Sequence, residues 1–132
     1  MPSIFTRIIN REIPAQIVAE DEQCIAFLDI NPLVLGHTLV VPKKEVDYIF
    51  DLDDATLSAL HVFAKKVALA IEKVIPCERI GVSVVGLEVP HTHVHLIPMD
   101  SADDLNFARP KLKPSKEELQ AVADQIRNAF GV

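Results

Sequence analysis

Three of the chain's five histidines, His91, His93 and His95, stand at alternate positions in Pro90-His91-Thr92-His93-Val94-His95-Leu96-Ile97-Pro98. Successive side chains of a β-strand point to opposite faces, so the three imidazoles would share one face. Thr92, Val94 and Leu96 would share the other, a mostly apolar side fit to pack on a core. Pro90 and Pro98 bracket the run, and proline is tolerated at the ends of a strand but not in its middle. The spacing predicts a strand that buries one side and presents an imidazole row on the other.

Such a row can do two kinds of chemistry. Two histidines at i and i+2 on a strand can share a zinc ion. The outer pair, however, is about 13 Å apart along an extended backbone, so three imidazoles in a flat strand do not converge easily. His37 or a carboxylate would have to complete such a metal site. The other chemistry is on a phosphate. A neutral imidazole is a good nucleophile near pH 7, and the central His93 is flanked on both sides. His91 and His95 could donate hydrogen bonds to phosphoryl oxygens or protonate a leaving group. Negative charge spread over those oxygens rewards such donors. Water would then attack the phospho-histidine and regenerate the nucleophile. Surface histidines without a role are the bland alternative, and strict alternation argues against it.

The remaining elements must hold that row. A chain of 132 residues, 49% hydrophobic and 24% charged, fits one domain spanning 1–132 with a core of its own. Ser3 is placed to cap a short helix to Asn10, with Ile4, Ile8 and Ile9 as its apolar side. Gln16 to Glu20 suits an edge strand. Cys24 to Leu28 reads as a strand ending at the turn Asp29-Ile30-Asn31-Pro32. Gly36 opens the β-branched run His37-Thr38-Leu39-Val40-Val41, closed by Pro42, and the two strands should pair antiparallel. The longest helix runs from about Ala55 to Ile75. Leu57, Leu60, Ala64, Val67, Ile71 and Val74 form its apolar seam. Arg79 to Val85 is another strand. Ser101 to Pro114 is a polar loop carrying Arg109, Lys111 and Lys113. Ser115 and Glu118 form a capping-box pattern that opens a last helix to about Phe130. This order is α+β with a small antiparallel sheet, not alternating βαβ.

Composition excludes several classes. No apolar run approaches the roughly 20 residues of a transmembrane helix, so no membrane partner is expected. No signal-peptide pattern opens the chain, and a cytoplasmic location is the default. Cys24 and Cys77 are isolated, which fits reduced thiols. A formal net charge of −6 argues against a nucleic-acid groove, but not against a small anionic substrate.

His91-Thr92-His93-Val94-His95-Leu96-Ile97 resembles the His-x-His-x-His-x-x signature of the histidine triad (HIT) family. Phe27-Leu28-Asp29-Ile30-Asn31-Pro32 and Gly36-His37-Thr38-Leu39-Val40-Val41-Pro42-Lys43 look like its nucleoside-binding segment in order and spacing. The likeness runs from about residue 3 to 100, with 101–132 as a C-terminal loop and helix. It implies a five-stranded antiparallel sheet with one long central helix and terminal helices, paired as a homodimer through the helix 55–75. It implies a hydrolase or transferase acting at the α-phosphate of a purine nucleotide conjugate, most like the Hint-type phosphoramidases, with no cofactor. The resemblance makes His93 the nucleophile that forms a nucleotidyl-histidine, with His91, His95 and His37 assisting. Asp29 would hold the ribose hydroxyls, and Phe27, Ile30 and Asn31 would lie near the nucleoside. Cleavage of dinucleoside polyphosphates, nucleotidyl transfer, and nucleotide binding with weak or no catalysis are the alternatives.

Two departures stand out. Many members carry a glutamine four residues before the first triad histidine, where this chain has Leu87, followed by Glu88. Some bacterial relatives open with Cys-x-x-Cys as half of a zinc site. Here those positions are Ser3 and Thr6, so no structural zinc is expected. The segment from Arg109 matches nothing in that pattern; its basic residues Arg109, Lys111 and Lys113 are expected to form a solvated loop, with reach to a site or a partner as the alternative.

Overall fold

A computed structural model describes residues 2–131, so Met1 and Val132, the ends of the expected domain, lie outside the described residues. Five strands form one antiparallel sheet in the order β1-β2-β3-β5-β4. They are β1 (Ile17–Glu20), β2 (Cys24–Leu28), β3 (Thr38–Pro42), β4 (Arg79–Ser83) and β5 (Val94–Met99). Three helices accompany them: α1 (Ile4–Ile9), α2 (Asp54–Val74) and α3 (Lys116–Ala129). This is the α+β architecture expected from the element order.

The sheet is covered on both sides, which explains why β2 and β3 read as unbroken apolar runs. Cys24, Ala26, Leu28, Val40, Val94 and Leu96 face α2 and α3. There they meet Leu60, Phe63, Ala64, Val67, Ala70 and Ile71 of α2, and Leu119, Val122, Ala123 and Ile126 of α3. Ile25, Phe27, Leu39 and Val41 face the other way and pack with Phe5 and Ile8 of α1. Both longer helices start on a side-chain cap. Asp53 accepts the Thr56 N–H, and Ser115 with Glu118 completes the expected capping box.

Three local expectations need correction. The histidine strand is shorter than the proline brackets suggest, because β5 begins only at Val94. The amides of His91 and Thr92 go to the carbonyls of Val89 and Val46 instead of a strand ladder. Pro98 lies inside β5, opposite Ile80, and is tolerated because the ladder with β3 has already ended at Thr38–Leu96. In α1 the inward residues are Phe5 and Ile8, while Ile4 is 50% exposed. The Phe5 ring takes the inward position by packing edge-on against Phe27, centroids 5.4 Å apart. Finally, a 3-10 turn over Ala102–Leu105 interrupts the loop before α3.

Candidate active site

The α1 side of the sheet carries the histidines. Phe5 packs edge-on against the rings of both His91 and His93, with centroids 5.9 and 4.9 Å away. The rings of His93 and His95 are 5.0 Å apart. The backbone is therefore extended enough to keep the alternation of faces although only His95 lies in β5. His37 joins the row because it immediately precedes β3, whose first residue pairs with Leu96. Its Nε2 is 2.9 Å from His95 Nδ1.

Hydrogen-bond partners assign the protons. The Leu33 amide can only donate, and it points at His37 Nδ1 over 3.1 Å. His37 therefore accepts at Nδ1 and, when neutral, carries its proton on Nε2. That proton is donated to His95 Nδ1, which leaves the His95 proton on Nε2. The His91 carbonyl can only accept, so His93 donates Nδ1–H to it over 2.7 Å. His93 Nε2 is left with a bare lone pair. His91 is satisfied at both nitrogens. Its Nε2–H donates to the Pro42 carbonyl at 2.8 Å, and its Nδ1 accepts the Ser3 hydroxyl at 2.7 Å. Ser3 Oγ in turn accepts the Thr6 N–H, so one residue caps α1 and holds His91. Among the described residues, no buried side-chain nitrogen or oxygen lacks a partner.

Burial favours the neutral form of His37, His95 and His91. It pushes His37 down to about 3 and His95 down to about 4, and repulsion between rings that would share a charge adds to the effect, with Lys111 also acting on His37. His91 is lowered as well, burial outweighing the opposing pull of the Pro42 carbonyl and Glu45. His37 lies 3.7 Å from the Asp29 carboxylate. A neutral His37 makes that a polar contact and not an ion pair. Burial raises Asp29, although the Asn31 N–H bound to its Oδ1 at 2.9 Å favours the charged form.

A cavity of ≈ 620 Å³ opens over this arrangement. His93, His95, His37, Asp29 and Asn31 line it. The direct phosphate contact expected of His91 is not available to it. It is fully buried, does not border the cavity, and has both nitrogens engaged. Its carbonyl accepts the His93 Nδ1–H. Phe27 is enclosed against Phe5 in the core, and Ile30 is 64% exposed beside Asp29; neither borders the cavity. Glu88 and Leu87 do line it, and so do Phe107 and Lys111 of the loop expected to be a solvated strap. Phe107 packs edge-on against His95, centroids 4.7 Å apart. A lone aromatic in an otherwise polar segment was the signal available for that contact.

Asp29, His37 and His95 each offer one donor atom within 4.8 Å of the others. This is the closest approach to a metal cluster among the described residues. The Leu33 amide opposes that use, because it puts the His37 proton on Nε2, the nitrogen that would have to bind the ion. That proton is donated to His95 Nδ1 instead, with the Asp29 carboxylate 3.7 Å from His37 Nε2.

The family model for the HIT domain matches residues 10–102. The chain belongs to the HIT family. It is 37% identical over 131 residues to an uncharacterized HIT-like protein of Borreliella burgdorferi, covering 93% of this chain and 94% of that one. It is 33% identical over 129 residues to the adenosine 5'-monophosphoramidase hnt1 of Schizosaccharomyces pombe, covering 96% of each. The crystal structure of a Hit-like protein from Bartonella henselae superposes with a TM-score of 0.86 at 35% identity, covering 97% of this chain and 96% of that one. The five-stranded sheet with three helices is thus the HIT fold. No helix among the described residues is long and apolar enough to cross a membrane.

Proposed function

We propose that this HIT protein hydrolyses purine nucleoside 5'-phosphoramidates through a nucleotidyl-histidine. The observation that carries this reading is the proton arrangement. His93 presents a bare Nε2, and the neighbouring His95 presents an Nε2–H, at the edge of one cavity. The His93 lone pair attacks the α-phosphorus, and the P–N bond breaks. The leaving nitrogen takes its proton from a water molecule and departs as the neutral amine, while the His95 Nε2–H donates a hydrogen bond at the reacting phosphoryl group. The hydroxide so formed attacks phosphorus as the P–N bond to His93 breaks, which returns His93 with its Nε2 lone pair. The hydrogen bond from His93 Nδ1 to the His91 carbonyl stabilises the charge that the ring gains in the adduct. Asp29 accepts the ribose hydroxyls beside Asn31. The purine preference rests on the relative named an adenosine monophosphoramidase.

One feature favours a second reading, a nucleotide-binding protein with weak or no catalysis. Leu87, 87% exposed at the cavity rim, offers no polar group to the phosphate or leaving group. Incubation with adenosine 5'-phosphoramidate separates the two, with diadenosine polyphosphates and nucleotidyl sugars run in parallel. Amide cleavage with label trapped on histidine is expected. His93→Ala should lose both while still binding AMP. Turnover that survives in His93→Ala sinks the mechanism, and AMP binding without any cleavage favours the second reading.

The working assembly is a homodimer through α2 and the sheet edge. Val62 and Leu69 stand exposed on α2, and Val82, Val84 and Val85 stand exposed along and just beyond β4, which has no partner on one side. Sedimentation giving twice the chain mass is the expected result. A cytoplasmic setting suits the two unpaired cysteines, Cys24 and Cys77.

A further inference from the structure

The cavity around His93 has a charge problem. Its lining includes the carboxylates of Asp29 and Glu88, while His37 and His95 are held neutral by burial. A phosphoryl group placed against His93 Nε2 adds more negative charge. Sites that handle phosphoryl groups offset such charge with cations and directed N–H donors. Leu87 supplies neither. Among the described residues that line the cavity, one carries a cationic side chain, and it is Lys111.

Lys111 does not reach the site by chance. The segment that carries it is tied down on both sides. Before it, the Phe107 ring packs against His95, and Arg109 pairs with Asp104 at 2.9 Å. After it, the Leu112 N–H donates to the Pro32 carbonyl at 2.9 Å, which joins the segment to the loop holding Asp29 and Asn31. Pro110 and Pro114 remove backbone freedom on either side. The Lys111 Nζ rests on two neutral acceptors, the carbonyls of Phe107 at 2.5 Å and Arg109 at 3.2 Å. Among the described residues, no carboxylate pairs with it as closely as those carbonyls do. Charged phosphoryl oxygens are stronger acceptors than carbonyls, so an arriving phosphate can recruit the ammonium by rotation of a flexible four-carbon stem.

We propose that Lys111, brought to the cavity by the segment between β5 and α3, is the phosphate-binding cation of this site and makes it select nucleoside 5'-phosphates over uncharged nucleosides. This deepens the nucleotide reading above and rests on it. Lys111 contacts the phosphoryl oxygens in place of the polar group missing at Leu87. The competing role is structural, in which the ammonium only knits its own loop through the two carbonyls.

The test measures binding of AMP and of adenosine by calorimetry to the full chain, its Lys111→Met variant and its Lys111→Arg variant. Lys111→Met keeps the apolar stem and removes the charge. It should weaken AMP about tenfold or more, the scale of one charge-assisted contact, and leave adenosine within about twofold. Lys111→Arg should keep most of the AMP affinity, and added salt should erode the AMP preference of the full chain but not that of Lys111→Met. Parallel loss of AMP and adenosine overturns the proposal in favour of the structural role, and unchanged AMP affinity overturns it outright. The outcome is separable from that for hydrolysis. A selective AMP loss in a protein that cleaves no phosphoramidate leaves Lys111 assigned and removes the hydrolase. Phosphoramidate turnover with the same KM in Lys111→Met does the reverse.

Discussion

Lowering the pH should unfold this protein by charging rings that the fold keeps neutral. Burial holds His37 at about 3 and His95 at about 4, whereas a histidine in an unfolded chain titrates near 6.5. Between those values the unfolded chain binds more protons than the folded one, so stability rises with pH. The contribution is complete above about pH 6.5 and drains as pH falls toward the folded values. At about pH 5 an unfolded histidine is almost wholly protonated, while His37 and His95 in the fold are almost wholly neutral. The linkage is then about 2 kcal/mol for each ring and on the order of 4 kcal/mol for both. That is a large part of the roughly 5–15 kcal/mol that holds an ordinary domain together. His91, shifted in the same direction, adds to it. Urea unfolding at about pH 7.5 and about pH 5, at one protein concentration, measures the loss. His95→Asn is the control, because its amide oxygen can still accept from His37 Nε2 and it does not titrate. It should lose about half as much stability as the parent over that interval. The depressed carboxylates Glu20, Glu45, Asp53 and Asp104 drain stability in the same direction at lower pH and are common to both proteins. Ring-proton NMR should show His37 and His95 uncharged at about pH 5. Equal losses in the two proteins, or rings that titrate near 6.5, would refute the reasoning.

Ser3→Ala strips the donor from a buried His91 Nδ1 and the cap from α1 at once. A loss of about 1–3 kcal/mol in urea unfolding is expected, with a drop in kcat as the carbonyl that orients His93 relaxes. Gly36→Ala puts a Cβ 2.3 Å from Ile75 Cδ1 and 3.2 Å from Pro98 Cγ at a φ of +100°. It should cost about 1–3 kcal/mol, read as a lower Tm, because the left-handed backbone is strained for any side chain with a Cβ. Asp29→Asn should weaken AMP about tenfold while leaving 2',3'-dideoxy-AMP nearly unaffected, since the lost carboxylate serves the ribose hydroxyls. Equal weakening of both ligands would remove Asp29 from that role.

Much of this protein is written locally, where a residue's neighbours in the chain decide its structure. Ser115 and Glu118 close their own capping box, Asp53 caps α2, and the alternation from His91 to His95 sets three rings on one face. These features are legible because caps, turns and the two-residue period of an extended chain need no distant partner. The family signature and the pairing of β2 with β3 across Asp29-Ile30-Asn31-Pro32 belong to the same class. The roles of the individual rings do not. His91, His93 and His95 are equivalent as residue types, and only long-range partners separate them. Ser3 and Pro42 consume both nitrogens of His91, the His91 carbonyl fixes the proton of His93, and Leu33 through His37 fixes that of His95. Likewise, the basic loop after β5 reads as solvated because its composition is polar. Its contact with the cavity depends on a ring packed against His95 and one amide bonded to Pro32. By itself the sequence determined the fold class, the shared face of the histidines and the residue types near the reaction. The tertiary structure decided which nitrogen is bare, which ring is enclosed away from the cavity, and that Lys111 borders it. A proton's place on an imidazole is set by the donor or acceptor facing it, and those groups are brought there only by folding.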